Sequence, residues 1–321
     1  MFHGKSVTVV VPAFNEERMI SKVLDTMPHY VDHVVVDDAS SDNTAGIVRR
    51  KARRNRRIVL IRHGENRGVG GAIATGYEWA AARNSDIAVV MAGDGQMDPA
   101  DLPSLLGPVA HGNADYSKGN RLFTGEAFKK IPKVRYLGNA VLSMMTKIAS
   151  GYWHVADSQC GYTAIGHRAL NAITWKEMYR DYGQPNDLLV RLNVFNFRVV
   201  DVPIKPVYGM GEKSGIRIPV LIPRLSWLLL TRFIWRMKEK YVIRDFHPLV
   251  FFYFFGALLF FPGLLLGCYL FLYWLFIGDV TALTALFAVF LTVTGLQLLL
   301  FAMWFDMEYN RSGHGSGHMR R

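Results

Sequence analysis

Val89-Val90-Met91-Ala92-Gly93-Asp94-Gly95-Gln96-Met97-Asp98-Pro99 is the stretch that decides the fold. Ile87 to Met91 is an apolar run of strand length without a helical period, which predicts a buried strand. It stops at a polar turn in which Gly93 and Gly95 bracket one carboxylate, Asp94, with the amide of Gln96 just after. Glycines there let a backbone come close to a ligand. In an extended turn Asp94 and Gln96 face one point. Two hard oxygen ligands of this kind suit Mg²⁺ or Mn²⁺ held partly by a substrate's own phosphates. The same residues would also make a tight turn in which Asp94 caps the helix that Pro99 helps to start.

Working outward, the pattern repeats. Val7 to Val11 reads as a strand ending in Pro12-Ala13-Phe14-Asn15-Glu16-Glu17, with a helix to about Met27. Val31 to Val36 ends in Asp37-Asp38-Ala39-Ser40-Ser41-Asp42, with a helix from about Thr44. Ile58 to Ile61 runs into His63-Gly64-Glu65-Asn66-Arg67, and a helix from Ala72 to Arg83 precedes the central strand. Strand-helix alternation with polar strand ends predicts an α/β fold, a Rossmann-like, mostly parallel, doubly wound sheet. Ligands of such sheets sit at the carboxyl ends of the strands. Those ends supply Asn15, Glu16, Asp37, Asp38, Asp94 and Gln96. Gly68-Val69-Gly70-Gly71 lacks the third glycine of a dinucleotide loop and follows the third strand rather than the first. It is expected to let a helix N-terminus approach a nucleotide.

From Asp115 to Asp201 the pattern is mixed. Lys118-Gly119-Asn120-Arg121 is read as following a short strand, and Leu137 to Ile148 as an apolar helix behind a basic segment. Asp157-Ser158-Gln159-Cys160-Gly161-Tyr162-Thr163 is a polar loop that runs into a strand. Asn186-Asp187 opens another helix, and Val199 to Ile204 is the last strand.

The 321 residues are half hydrophobic and carry a formal net charge of +11. The mean hydropathy of +0.13 hides two different parts, because the apolar excess is concentrated near the C-terminus. The positive charge is therefore read against an anionic membrane, and no nucleic-acid partner is expected. Pro219 to Tyr241 interleaves Arg224, Arg232, Arg236, Lys238 and Lys240 with apolar residues, the pattern of an amphipathic helix in a membrane interface. Pro248 to Ile277 and Val280 to Phe305 have no charged residue, and each can span a hydrocarbon core of roughly 30 Å. Gly278-Asp279 alone separates them, so a tight transmembrane hairpin is expected. Basic residues flank its outer ends, which puts both ends and the first domain in the cytoplasm. The N-terminus shows no signal-peptide pattern, in keeping with that orientation. Cys160 and Cys268 sit in unlike surroundings, so neither a disulfide framework nor a zinc site is expected. The expected organisation is a cytoplasmic domain at 1–218, interfacial amphipathic helices at 219–246, two transmembrane helices at 247–306 and a disordered cytoplasmic tail at 307–321. A homo-oligomer is compatible with it.

Pro12-Ala13-Phe14-Asn15-Glu16, Val36-Asp37-Asp38-Ala39-Ser40-Ser41-Asp42-Asn43-Thr44, Gly93-Asp94-Gly95-Gln96 and Val202-Pro203-Ile204 resemble, in that order, the inverting family-2 glycosyltransferases. With the hairpin, the chain is similar to their polyprenyl-phosphate branch, dolichyl-phosphate mannose synthase and its bacterial relatives. The motifs cover residues 5 to 245 and the architecture covers the rest. The resemblance implies a GT-A catalytic domain and a multi-pass membrane enzyme. Such an enzyme moves a sugar from a nucleotide-sugar donor to a polyprenyl (undecaprenyl or dolichyl) phosphate acceptor with Mg²⁺ or Mn²⁺. By the same resemblance Pro12, Ala13, Asn15, Glu16 and Asp38 line the nucleoside pocket, and Asp94 and Gln96 hold the metal. Asp157 and Gly161 match an acidic loop beside the sugar. Lys213 and Ser214 match a basic loop over the donor phosphates, and Arg135 matches a basic residue for the acceptor phosphate. Asp157, Asp94 and Arg135 are the expected catalytic set.

Three positions depart from the family. Ala92 stands where many relatives have a second metal-binding aspartate, and Thr163 where many have arginine or lysine. The loop Tyr208-Gly209-Met210-Gly211-Glu212-Lys213-Ser214 is unlike that of mannose synthases, which favours a UDP-sugar, such as UDP-GlcNAc or UDP-glucose, over GDP-mannose. A nucleotide-sugar-binding membrane protein without catalysis is the non-enzymatic alternative, with Ala92 in its favour. A processive polysaccharide synthase would need more membrane helices and a Gln-x-x-Arg-Trp stretch.

Overall fold

The computed structural model describes residues 1–123, 133–205 and 218–315. The chain divides into two compact units, Met1–Phe233 and Ile234–Arg321.

In the first unit seven strands form one sheet: β1 Val7–Ala13, β2 Asp32–Asp37, β3 Ile58–Arg62, β4 Ile87–Val90, β5 Tyr116–Asn120, β6 Thr163–Gly166 and β7 Val199–Pro203. Their order is β3-β2-β1-β4-β6-β5-β7. β6 is antiparallel to β4 and β5, and the other pairs are parallel. Helices α1 (Ile20–Thr26), α2 (Thr44–Arg54) and α3 (Gly68–Ala82) follow the first three strands. Every residue of β1 is buried, as a central parallel strand covered on both faces requires. Alternation sends Val9 and Val11 into one core, with Ile20 and Leu105, and Val10 into the other, with Tyr77.

The reversal of β6 matters for the site. Thr163, at its start, pairs with Val90 at the end of β4. The loop before β6 therefore arrives at the carboxyl ends of the parallel strands.

Several expectations are corrected. α3 begins at Gly68, not Ala72, so the glycine run is helical. A Cβ on Gly70 would collide with the backbone carbonyl of Tyr179, and the Gly71 N–H donates to the Arg180 carbonyl at 3.1 Å. Gly70 and Gly71 pack this helix against residues 179–181. Lys118 lies inside β5, fully buried, with its Nζ donating to the carbonyl of Cys160. Asp98, not Asp94, caps the turn Pro99–Asp101 ahead of α4 (Leu102–Ala110), accepting the Ala100 N–H at 2.9 Å.

Helices α5 (Lys133–Ser150), α6 (His167–Ala172) and α7 (Gln184–Val194) complete the sheet's cover, and α8 spans Ile218–Lys238. The unit boundary falls inside α8, beyond residue 218, because Leu225, Leu228 and Leu229 are buried in the first unit. Leu225 and Leu228 close on Gly183, and Arg232 Nε pairs with Asp187 at 2.7 Å. Ile222, Trp227 and Leu230 stay exposed, so this part of α8 keeps an apolar outer face.

The second unit contains the end of α8, a π-helical turn Glu239–Arg244, α9 (Leu249–Phe276) and α10 (Ala282–Gly315). Helix α9, at 1.5 Å per residue, is about 42 Å long, enough for a hydrocarbon core of roughly 30 Å. α9 and α10 are both long and apolar enough to cross a membrane, and only 17% of each apolar window is buried. A helix pair inside a soluble core would be mostly buried. Small residues let the pair approach: Cβ atoms on Gly256 and Gly263 would lie 3.0 Å from Leu299 and 2.7 Å from the Thr292 nitrogen.

Arg236 and Lys240 do not belong to a solvated polar face. Arg236 is fully buried, its Nη1 and Nη2 donating to Asp306 Oδ1 and Oδ2 at 3.1 and 2.9 Å. The Tyr241 hydroxyl donates to Asp306 Oδ1 at 2.6 Å, and Lys240 Nζ to Asn310 Oδ1 at 2.9 Å. Asp306 and Asn310 lie one turn apart, so these partners favour continuing the helix. α10 accordingly runs to Gly315, through a segment expected to be a disordered tail from 307. Residues 316–321 lie outside the described residues.

Candidate active site

β1 and β2 end side by side, with Ala13 paired to Asp37. The loops that follow are laced together. The Asn15 N–H donates to Ser40 Oγ at 2.9 Å, the Glu16 N–H to Thr44 Oγ1 at 2.8 Å, and the Ser41 N–H to Asn15 Oδ1 at 2.9 Å. Asn15 and Ala39 hold φ of 58° and 60°. Residues other than glycine occupy that left-handed region at a cost of order 1 kcal/mol or more, and the lacing offsets it. The loops are thus built in one shape rather than left slack.

β4 delivers Asp94 to the same edge. The Gly93 N–H donates to the Pro12 carbonyl at 3.2 Å, and Gly93 packs so closely that a Cβ would lie 3.3 Å from Ala13 Cβ. Asp94 Oδ1 accepts the Gln96 N–H at 3.0 Å, and Gly95 turns the chain at φ 77°. Glu16 is pushed up to about 7, by burial first and then by the charges of Asp94 and Asp42. An acidic cluster that retains a proton near neutrality also attracts a cation.

Among the described residues no three His, Cys, Asp or Glu side chains gather into a metal cage. By chemistry, the Asp94 carboxylate and the Gln96 carboxamide are hard oxygen donors of the kind that suits a divalent ion. Asp94 lies close enough to Glu16 to raise its pKa, and two protein donors would leave the rest of such an ion's coordination to ligand oxygens.

Asp38 is buried at the end of β2, and its Oδ1 accepts twice, from His63 Nδ1 at 2.6 Å and from the Arg67 N–H at 2.9 Å. Asp157 is buried in the loop before β6 and grips Arg121 with both oxygens. Arg121 Nε lies 2.7 Å from Oδ2 and Nη2 lies 3.1 Å from Oδ1. Burial alone would raise its pKa, but the bonds and charge of Arg121 prevail and hold Asp157 below the usual carboxylate range. The Tyr162 hydroxyl donates to the Asp98 carbonyl at 3.1 Å, which ties this loop to the Asp94 turn. A Cβ on Gly161 would meet Met97 Cε at 3.4 Å. Behind Asp157, Asp201 Oδ2 accepts from the Ala156 N–H at 2.7 Å and Asn120 Nδ2 at 3.1 Å. Burial pushes the Asp201 carboxyl up and the Lys118 ammonium down.

The structure therefore brings Pro12, Ala13, Asn15, Glu16, Asp38, Asp94, Gln96 and Asp157 to the carboxyl edge of the sheet. Lys213 and Ser214 lie outside the described residues, as does the side chain of Arg135 on the first turn of α5. Arg121 and His63 had no assigned role in the sequence. Their partners are distant along the chain, and neither sits in a run whose spacing marks it.

The glycosyl transferase family 2 model matches residues 8–174. A UDP-N-acetylglucosamine–dolichyl-phosphate N-acetylglucosaminyltransferase from Methanococcus voltae is 31% identical over 67% of this chain and 92% of its own. An undecaprenyl-phosphate mannosyltransferase from Micrococcus luteus is 30% identical over 65% of this chain and 88% of its own. Among solved structures, a mannosyltransferase from Pyrobaculum calidifontis in complex with GDP-Man and Mn²⁺ superposes with a TM-score of 0.53 at 19% identity. That match covers 97% of this chain and 86% of the other, and it shows the shared fold.

Proposed function

This chain belongs to glycosyl transferase family 2, and on that premise we propose that it transfers a sugar from a UDP-sugar to a polyprenyl phosphate at the cytoplasmic face of a membrane. The observation that carries the reading is the match to the Methanococcus relative, which spans nearly all of that protein and takes UDP-N-acetylglucosamine and dolichyl phosphate by its name. The paired apolar helices α9 and α10 support a lipid acceptor, because they would hold the chain at the bilayer where that acceptor resides. On this reading 1–218 is the catalytic domain, 219–246 lies in the interface and 247–306 is the anchor. GDP-mannose is the second donor reading, favoured by the mannosyltransferase name of the Micrococcus relative.

The chemistry follows from the charges. Pro12, Ala13, Asn15, Glu16 and Asp38 would seat the nucleoside in the laced loops, which need little reorganisation. Asp94 and Gln96 would hold Mg²⁺ or Mn²⁺, which supplies counter-charge for a departing nucleoside diphosphate. Lys213 and Ser214 are assigned to the donor phosphates and Arg135 to the acceptor phosphate. The acceptor is a phosphate monoester, anionic at neutral pH, so its attack on the anomeric carbon needs no strong base. Asp157, already ionised and gripped by Arg121, suits orientation and charge stabilisation rather than proton removal. Positioning supplies most of the acceleration. In-line attack inverts the anomeric centre.

The test is a donor panel. The purified chain, with undecaprenyl phosphate and Mn²⁺, should give a lipid-linked product from a UDP-sugar and less from GDP-mannose. Asp94→Asn and excess chelator should each lower the rate by at least about a hundredfold. Donor hydrolysis without any lipid product would overturn the acceptor. Undiminished activity in chelator would remove the metal.

A further inference from the structure

Asp38, assigned above to the nucleoside pocket, is buried and held from several sides. Its N–H donates to the Ala13 carbonyl at 2.9 Å, and the His63 N–H donates to the Asp37 carbonyl at 2.9 Å, so both backbones are set by the sheet. Its Oδ1 is fully engaged by His63 Nδ1 and the Arg67 amide. An ionised carboxylate only accepts, so Nδ1 carries the proton. The other ring nitrogen, Nε2, lies 3.0 Å from Thr75 Oγ1, whose single proton is shared between Nε2 and the Gly71 carbonyl, 3.1 Å away and one turn earlier on α3. The imidazole is thereby braced between a strand end and a helix. Among the described residues nothing donates to Asp38 Oδ2.

We propose that His63 is a positioning residue for the donor's base: it holds Asp38 so that a single oxygen, Oδ2, meets the base, and the site thereby selects uracil over guanine. The inference rests on the reading above, in which Asp38 lines the nucleoside pocket. Uracil presents one N–H between two carbonyls, and one acceptor oxygen satisfies it. Guanine presents N1–H and an amino group on the same edge, two donors that a free carboxylate would take with both oxygens. With Oδ1 already engaged, one guanine donor would be buried unpaired, and a site rejects a ligand that leaves such a group unmatched.

The experiment uses the full chain in detergent with Mn²⁺ and titrates UDP and GDP calorimetrically. Wild type should bind UDP at least about tenfold more tightly than GDP, the scale of one unmatched polar group. His63→Ala should weaken UDP by about tenfold and bring the UDP-to-GDP ratio near one. His63→Asn, whose side-chain N–H can reach the place of Nδ1, should restore much of the ratio. Thr75→Val removes only the outer brace and should shift the ratio in the same direction by less. It tests the proposal even if His63→Ala does not fold. A purely structural histidine would weaken both nucleotides together, so an unchanged ratio in these variants overturns the assignment. GDP binding as tightly as UDP to wild type overturns it too. If neither nucleotide binds the wild type, the functional reading falls and takes this assignment with it.

Discussion

Two groups of charges, one in each unit, are built on opposite plans. In the second unit Asp306 is matched within the chain, by two guanidinium nitrogens of Arg236 and the hydroxyl of Tyr241. In the first unit Glu16 faces Asp94 and Asp42, all of one sign, and retains its proton to about pH 7. A group matched in this way holds structure together. A cluster of carboxylates that repel one another favours a bound proton or cation. The Asp157–Arg121 pair lies among the candidate catalytic residues yet follows the first plan.

Removing a partner from the matched group should have the largest effect. Asp306→Ala leaves Arg236 buried without its counter-charge, and the loss of stability should be about 3–5 kcal/mol, measured by denaturant unfolding in detergent. Replacing Arg236 and Asp306 together by leucine should recover most of it. An unshifted midpoint for Asp306→Ala would show that the pair supports nothing. The intermediate case is Asp157→Asn, which keeps the shape and removes the charge that Arg121 grips. Transfer should fall by about ten- to a hundredfold but stay measurable at every pH, because the acceptor phosphate ionises without help. Complete loss with normal donor binding would make Asp157 an essential base.

The smallest effect belongs to the acidic group around Glu16. The folded state raises the Glu16 pKa, so its protonated form is favoured and a stability penalty grows as pH rises from the unfolded value through about 7. A bound cation would displace that proton. Mn²⁺ affinity should therefore rise about tenfold between about pH 6 and 8 and then level off. Glu16→Gln should flatten the profile. A wild-type affinity that stays level across that range would sever Glu16 from the ion.

The sheet was legible because β1, β2 and β4 are short, β-branched and apolar, and each ends in polar residues that can only sit at an edge. Asp94 and Glu16 were legible for the same reason. Other features depend on contacts that spacing does not encode. The packing of the Gly68 run was not legible, because Tyr179 and Arg180 arrive against it from more than a hundred residues away. Lys118 has the chemistry of a surface residue, and the Cys160 carbonyl on the neighbouring loop, with the charges of Asp157 and Asp201, accommodates it inside β5. Arg236 and Lys240 read as an exposed basic face because their partners, Asp306 and Asn310, lie at the far end of an apolar helix. Arg121 and His63 carry no signal in the sequence because the carboxylates they hold, Asp157 and Asp38, lie 36 and 25 residues away along the chain.

The sheet order also bears on how the chain comes together. β1 to β4 are joined by short crossovers and pair chiefly with near neighbours in sequence, so that half can close early in synthesis. β5, by contrast, bonds β6 and β7, which are made much later. Until β6 is complete, the outer side of β4 has no strand to take its backbone groups. Entropy makes such distant pairing slow, and a bare strand edge is where chains stick to one another. The edge that carries Asn15, Glu16 and Asp94 is therefore expected to form before the strand that brings the Asp157 loop into place, and the wait for that strand is the interval most exposed to association.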